Sequence, residues 1–193
     1  MLMAAVQIAY LTADELQAVH AQLVDVYRRA FAAPPYGVDE GEVASFANRL
    51  PQHAGYRGFR CCAAQEVHTG RVVGFAYGYT SMPGQWWRDI VAAAMDPHTA
   101  EHWLSDAFEF VELGVLPEFQ GRGIGGRLHD ALLDRLPHRT AVLSTARQET
   151  PALHLYRNRG WVVIVPELFF PGGGLPYVIM GKELAGGAGG ANR

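Results

Sequence analysis

Lysine is nearly absent. Of the 16 lysines and arginines in the 193-residue chain only Lys182 is a lysine, and 19 acidic residues leave a net charge of −3. Without a positive surplus no field gathers a polyanion, so nucleic acid is not an expected partner. Long apolar runs are missing as well. No stretch is long enough to span a bilayer, and no charged segment precedes an apolar core near the start, so no membrane association is expected and a cytoplasmic location follows by default. Cysteine is confined to Cys61 and Cys62. Neighbours on a strand point to opposite faces, which disfavours a disulfide or a shared metal, and no CxxC spacing exists. They read as small buried hydrophobes. His102, His129 and His154 have no partner at metal-ligand spacing, so no metal is expected. Charge is sparse too, at 18% against 49% hydrophobic residues, which excludes a disordered chain. The length fits one domain, residues 1–184, and a glycine-rich tail, residues 185–193, expected to be disordered.

Turn and cap signals are plentiful. Gln7 to Leu11 reads as a strand. Thr12 with Glu15 is a capping box for a helix striped by Leu16, Val19, Leu23 and Val26. Asp39 with Glu42 caps a second helix striped by Val43, Phe46 and Leu50, with Pro51 at its end. Phe59–Ala64 and Val72–Tyr79 are β-rich runs around a His68-Thr69-Gly70 turn. Ser81 to Ala107 has weak periodicity and reads as a long, partly helical excursion. Phe108–Val115 is a strand, followed by a glycine turn and a helix to about Leu136. Ala141–Thr145 is a strand, and Thr150 with Pro151 opens a helix that Gly160 closes. Trp161–Val165 and Tyr177–Met180 are closing strands. The order predicts a mixed α/β domain with helices on both faces of a mixed sheet.

The turn Gly121-Arg122-Gly123-Ile124-Gly125-Gly126 holds four glycines in six residues, between a strand and a helix. Glycine permits positive φ and close approach of a ligand, and the following helix aims free N–H groups at the turn. That is a phosphate or pyrophosphate cradle. The stretch also fits the dinucleotide fingerprint GxGxxG, which implies a nicotinamide-dependent oxidoreductase. The fingerprint normally follows the first strand of a βαβ unit with an acidic residue about 20 positions on. Here the turn comes late, and the chain reads Ser144-Thr145-Ala146-Arg147 at the acidic position. Ser144 has no histidine and acid at a recognisable spacing, so a serine hydrolase is not expected.

Two stretches resemble the motifs of the GNAT N-acetyltransferase superfamily. Val115-x-Pro117 with Gln120-x-x-Gly123-x-Gly125 resembles its acyl-CoA motif. Ala152-Leu153-His154-Leu155-Tyr156-Arg157-Asn158-Arg159-Gly160-Trp161 resembles its second motif, in the right order and at a typical spacing. The match covers about Phe108 to Val165. One departure is Glu149, where many members carry an asparagine that helps hold the pantetheine arm.

The resemblance implies a mostly antiparallel sheet with splayed central strands, and transfer of an acetyl group from acetyl-CoA to an amine by direct attack. It places the pyrophosphate on Gly121, Arg122, Gly123, Ile124, Gly125 and Gly126, with Gln120 supporting the turn. It places the pantetheine on main-chain groups of Leu113 to Val115, with an N–H near Leu113 as oxyanion donor. Tyr156 is implied as the acid for the leaving thiolate: a phenol near pKa 10 still carries its proton at neutral pH. The base is sought on the strand before the turn, where Glu109 is favoured over Glu112 and many members use a water chain. The acceptor, a small-molecule or peptide amine, is expected among residues 34–42, Trp86-Trp87 and residues 172–177, with Tyr36, Asp39, Glu40 and Asp89 suited to a cationic amine. A homodimer is compatible with this reading, and so is a non-catalytic acyl-CoA-binding module that works as a sensor or partner element.

Overall fold

The computed structural model describes residues 5–172 and 174–185; the expected disordered tail falls, apart from Ala185, outside the described residues. Seven strands follow the order β1-β2-β3-β4-β5-β7-β6. They are β1 Val6–Tyr10, β2 Arg60–Glu66, β3 Val72–Thr80, β4 Ala107–Val115, β5 Thr140–Ala146, β6 Val162–Leu168 and β7 Tyr177–Glu183. The helices are α1 Ala13–Ala30, α2 Glu40–Ala54, α3 Trp86–Ala93, α4 Pro97–Leu104, α5 Ile124–Leu133 and α6 Pro151–Arg157. β1/β2, β2/β3, β5/β7 and β6/β7 pair antiparallel. β4 and β5 pair in parallel at Ala107–Glu109 with Thr140–Val142, and β4 then runs on to Val115. The expected mixed α/β class is the one found.

The chain divides into two compact units: residues up to Tyr79 with Val111–Asp134, and Thr80–Phe110 with residues from Arg135 onward. In the first, both capping boxes form, Thr12 with Glu15 and Asp39 with Glu42. The α1 and α2 stripes bury Leu23, Val26, Phe46 and Leu50 to 1% exposure or less, and Tyr27 stacks on Phe46 at 4.1 Å between ring centroids. α2 does not stop at Pro51 but continues to Ala54. A mid-helix proline removes the N–H that would bond the carbonyl four residues back. That carbonyl belongs to Ala47, and the His20 ring donates to it from α1 at 2.9 Å. A partner from a neighbouring helix thus meets the need that ends most helices at proline.

In the second unit the stretch expected to be a partly helical excursion forms α3 and α4, the latter capped by Asp96 with Pro97 in its first turn. Val91 and Leu104 from these helices pack with Ala107, Val142, Val165 and Ile179. Trp103 lies flat over β7: a Cβ on Gly181 would meet its ring at 2.4 Å. Gly181→Ala should therefore destabilise the protein by about 3 kcal/mol through overpacking. Urea unfolding reads this as a lower midpoint, and an unchanged midpoint would mean that Trp103 moves aside freely.

Candidate active site

The glycine turn lies in the first unit. β4 ends at Val115, a 3₁₀ turn spans Pro117–Phe119, and α5 starts at Ile124. Leu116 N–H donates to Val73 O at 2.9 Å, and the Gln120 side-chain amide donates to Val115 O at 2.9 Å. Gln120 thus ties the turn to the strand it leaves. Gly121 and Gly123 have φ of 71° and 73°, a region that side chains with a Cβ rarely adopt. No side chain caps α5, so Ile124, Gly125 and Gly126 present main-chain N–H groups at a positive helix end. A Cβ at Gly121 or Gly123 would meet no protein atom within 4 Å. Backbone conformation and open space, not packing, require glycine there.

Arg122 is engaged within the turn. Its guanidinium donates to Glu118 O at 2.6 Å and lies 5.0 Å from the centre of the Phe119 ring. The Glu118 carboxylate bridges Arg29 at 2.9 Å and Arg71 at 3.3 Å. Its own main-chain N–H first, and the two arginines after it, hold that carboxyl below its usual range. Arg122 therefore braces the cradle, with donors left over for an anion.

Glu112 also belongs to the first unit. Its side chain is 18% exposed, and Oε2 lies 3.9 Å from Nη2 of Arg49 on α2. Burial pushes the Glu112 carboxyl up to about 7, against the pull of Arg49. The Tyr27 and Tyr77 phenols lie within electrostatic reach of Arg49, and Tyr77 meets His53 Nδ1 at 3.1 Å. Burial, and then the Glu112 charge, push the Tyr27 phenol up. Two residues beyond Glu112, a Cβ on Gly114 would touch Ala30 and Phe31 of the α1 end at 3.4 and 3.5 Å. Sequence reading weighed Glu112 and missed the rest of this group: Arg49 sits beside the apolar stripe of α2, and periodicity marks no polar partner for it.

In the second unit Thr150 accepts from Leu153 N–H and Pro151 fills the first turn of α6, as expected. Gly160, at φ 78°, ends the segment, and Trp161 N–H donates back to Tyr156 O at 3.2 Å. This closure brings Trp161 onto Tyr156, ring centroids 5.8 Å apart, with Phe110 of β4 6.0 Å from Tyr156. Tyr156 is 6% exposed. Glu109, opposite Val142 in the β4/β5 ladder, is 3% exposed. Glu149 pairs with Arg157 at 2.8 Å and with His154 at 3.3 Å, so it braces its own helix.

The residues expected to receive the acceptor are mostly engaged locally. Asp39 caps α2 and Glu40 binds Arg28 at 2.9 Å. Asp89 accepts from Gly84 N–H at 3.1 Å. Trp87 Nε1 donates to Ser144 at 3.1 Å. Tyr36 meets Phe31 edge-on, and Trp86, 62% exposed, stacks on Phe170. Among the described residues no group of three or more His, Cys, Asp or Glu could hold a metal ion, and no helix is long and apolar enough to cross a membrane.

A strand running through a 3₁₀ turn into a glycine-opened helix with no side-chain cap is an arrangement suited to a phosphate group. The model of the acetyltransferase (GNAT) family matches residues 21–161, and the chain belongs to that family. It is 33% identical over 130 residues to a GCN5-like protein acetyltransferase of Mycobacterium tuberculosis, a match that spans 63% of each chain. Among solved structures it has the fold of a GCN5-related N-acetyltransferase from Kribbella flavida (TM-score 0.66, 19% identity, 93% of this chain and 98% of that one). It also has the fold of a phosphinothricin acetyltransferase from Sinorhizobium meliloti solved with acetyl-CoA (TM-score 0.61, 20% identity, 97% and 92%).

Proposed function

We propose that this protein transfers an acetyl group from acetyl-CoA to the amine of a small molecule or peptide. The observation that carries the reading is the turn at Gly121 and Gly123, with positive φ at both, open space before them and uncapped N–H groups behind. A pyrophosphate suits that cradle by charge and by hydrogen bonding. Main-chain groups of Leu113 to Val115 serve the pantetheine arm and the thioester oxygen, and Gln120 keeps the turn in register. Tyr156 gives the departing thiolate its proton. A solution assay of thiol release from acetyl-CoA across amines, amino acids, aminoglycosides and peptides tests the reaction; no release with any amine would contradict it.

For the base we propose Glu112 in place of Glu109. A base works best when its pKa lies near the working pH and it can reach the proton it takes. Glu112 meets the first condition at about 7 and is partly exposed, whereas Glu109 is enclosed in the strand pair. The groups around Glu112 are Arg49 on α2 and Tyr27 on α1, with Tyr77 on β3 and His53 behind Arg49. Burial and the Arg49 charge push His53 down to about 4, and burial pushes the Tyr27 phenol up, so neither of these changes charge near neutrality. The active form is the carboxylate, so kcat/KM should rise with pH through about 7 and level off above it. Glu112→Gln should lower kcat by about 100-fold or more and remove that limb. An unchanged pH profile in the variant would take Glu112 out of the mechanism.

A further inference from the structure

The donor chemistry leaves Arg49 unused, and its surroundings are unusual for a structural arginine. The guanidinium lies 5.9 Å from the centre of the Phe46 ring, with the phenols of Tyr27 and Tyr77 within electrostatic reach. The Tyr77 hydroxyl lies 3.1 Å from His53 Nδ1. The neutral imidazole is the form able to accept there, which matches a His53 held at about 4. The neutral groups near the cation thus come from α1, α2 and β3.

Its carboxylate neighbour does not close on it. Glu112 Oε2 stands 3.9 Å from Arg49 Nη2, beyond the about 2.7–2.9 Å of a charge-assisted bond. A pair serving only the fold gains most from a closed, bidentate geometry. This one stays open, and the Arg49 side chain keeps 39% exposure.

We propose that Arg49 and Glu112 together form the acceptor site for a free α-amino acid, Arg49 taking its carboxylate and Glu112 its ammonium group. The inference rests on the reading of Glu112 as the acceptor's base. A simple alkylammonium brought to Glu112 would stand beside the Arg49 charge with no group of its own to pair with it. An α-carboxylate removes that repulsion and uses the planar guanidinium fork. The nitrogen and the carboxylate carbon of an α-amino acid are about 2.5 Å apart, which suits two receptors separated by one short gap. In the reaction Glu112 accepts one ammonium proton and the freed lone pair forms the N–C bond to the acetyl carbon. The C–S bond breaks, its electrons leave as thiolate, and the thiolate is protonated. The second nitrogen proton passes to water. The products are an N-acetyl amino acid and free coenzyme A.

The test uses the full chain and the common L-amino acids, each beside its carboxamide and its decarboxylated amine. Binding is read by calorimetry with and without coenzyme A, and thiol release from acetyl-CoA is read separately. At least one L-amino acid should bind about 100-fold more tightly than its decarboxylated amine. Arg49→Gln should lose that advantage while its affinity for the amine holds or rises, because the charge that opposes an ammonium is gone; retained amine binding serves as the control for folding. Equal binding of acid, carboxamide and amine, a parallel loss of all three in the variant, or no amino-acid binding at all would overturn the inference. Arg49-dependent amino-acid binding without thiol release would support the site and count against the acetyl-CoA assignment instead.

Discussion

Replacing Gly123 with valine should weaken acetyl-CoA binding by about 100-fold or more, equivalent to about 3 kcal/mol. Two effects act together. Gly123 sits at φ 73°, where a β-branched residue is an outlier that costs roughly 1–3 kcal/mol. The new side chain would also project into the space before Ile124, Gly125 and Gly126, where the proposed pyrophosphate meets the helix end. No protein atom lies within 4 Å of the added Cβ, so the cost to folding is the backbone strain alone. Thermal stability should fall by that strain, and ligand affinity should fall further through the blocked phosphate space. Gly123→Ala should share the loss of stability and weaken binding less, since it adds strain with little bulk. A valine variant of normal affinity, measured by calorimetry, would put the donor pocket elsewhere.

Tyr156→Phe should lower kcat by about 100-fold or more while leaving acetyl-CoA affinity nearly unchanged. The substitution keeps the ring against Phe110 and Trp161 and removes one oxygen. At 6% exposure the position already accepts an aromatic side chain, so packing changes little. If the phenol is the acid for the thiolate, its loss falls on the chemical step. An unchanged kcat in steady-state assays would remove Tyr156 from that role, and a matching loss of Tm would point to a packing role in its place.

Local rules made much of the fold legible. Thr12 with Glu15 and Asp39 with Glu42 form capping boxes, Thr150 with Pro151 opens α6, and Gly160 adopts the positive φ that ends it. Each is decided within a few residues of sequence. What was not legible depended on distant partners. The helix runs through Pro51 because His20, on another helix, bonds the carbonyl that proline leaves unpaired. α3 and α4 are short and weakly periodic, and their place in the core is set by contact with Val142, Val165 and Ile179.

The site divides in the same way. The glycine turn announces itself because its chemistry lies in the backbone, and only glycine allows that backbone. The acceptor side is carried by side chains from separate elements, so sequence offered candidates without saying which were free. Asp39, Glu40 and Asp89 suited a cationic amine on paper, yet Asp39 caps α2, Glu40 pairs with Arg28 and Asp89 accepts from Gly84 N–H. Glu112 gained its character from burial beside Arg49, and no spacing in the chain connects those two residues.

Calorimetric titration of the purified chain with acetyl-CoA, and separately with NADPH, asks whether the glycine turn holds an acyl-CoA. Saturable heat with acetyl-CoA, lost in Gly123→Val and absent with NADPH, is the predicted result. Heat with NADPH alone would contradict the account and return the turn to the dinucleotide fingerprint that it also fits.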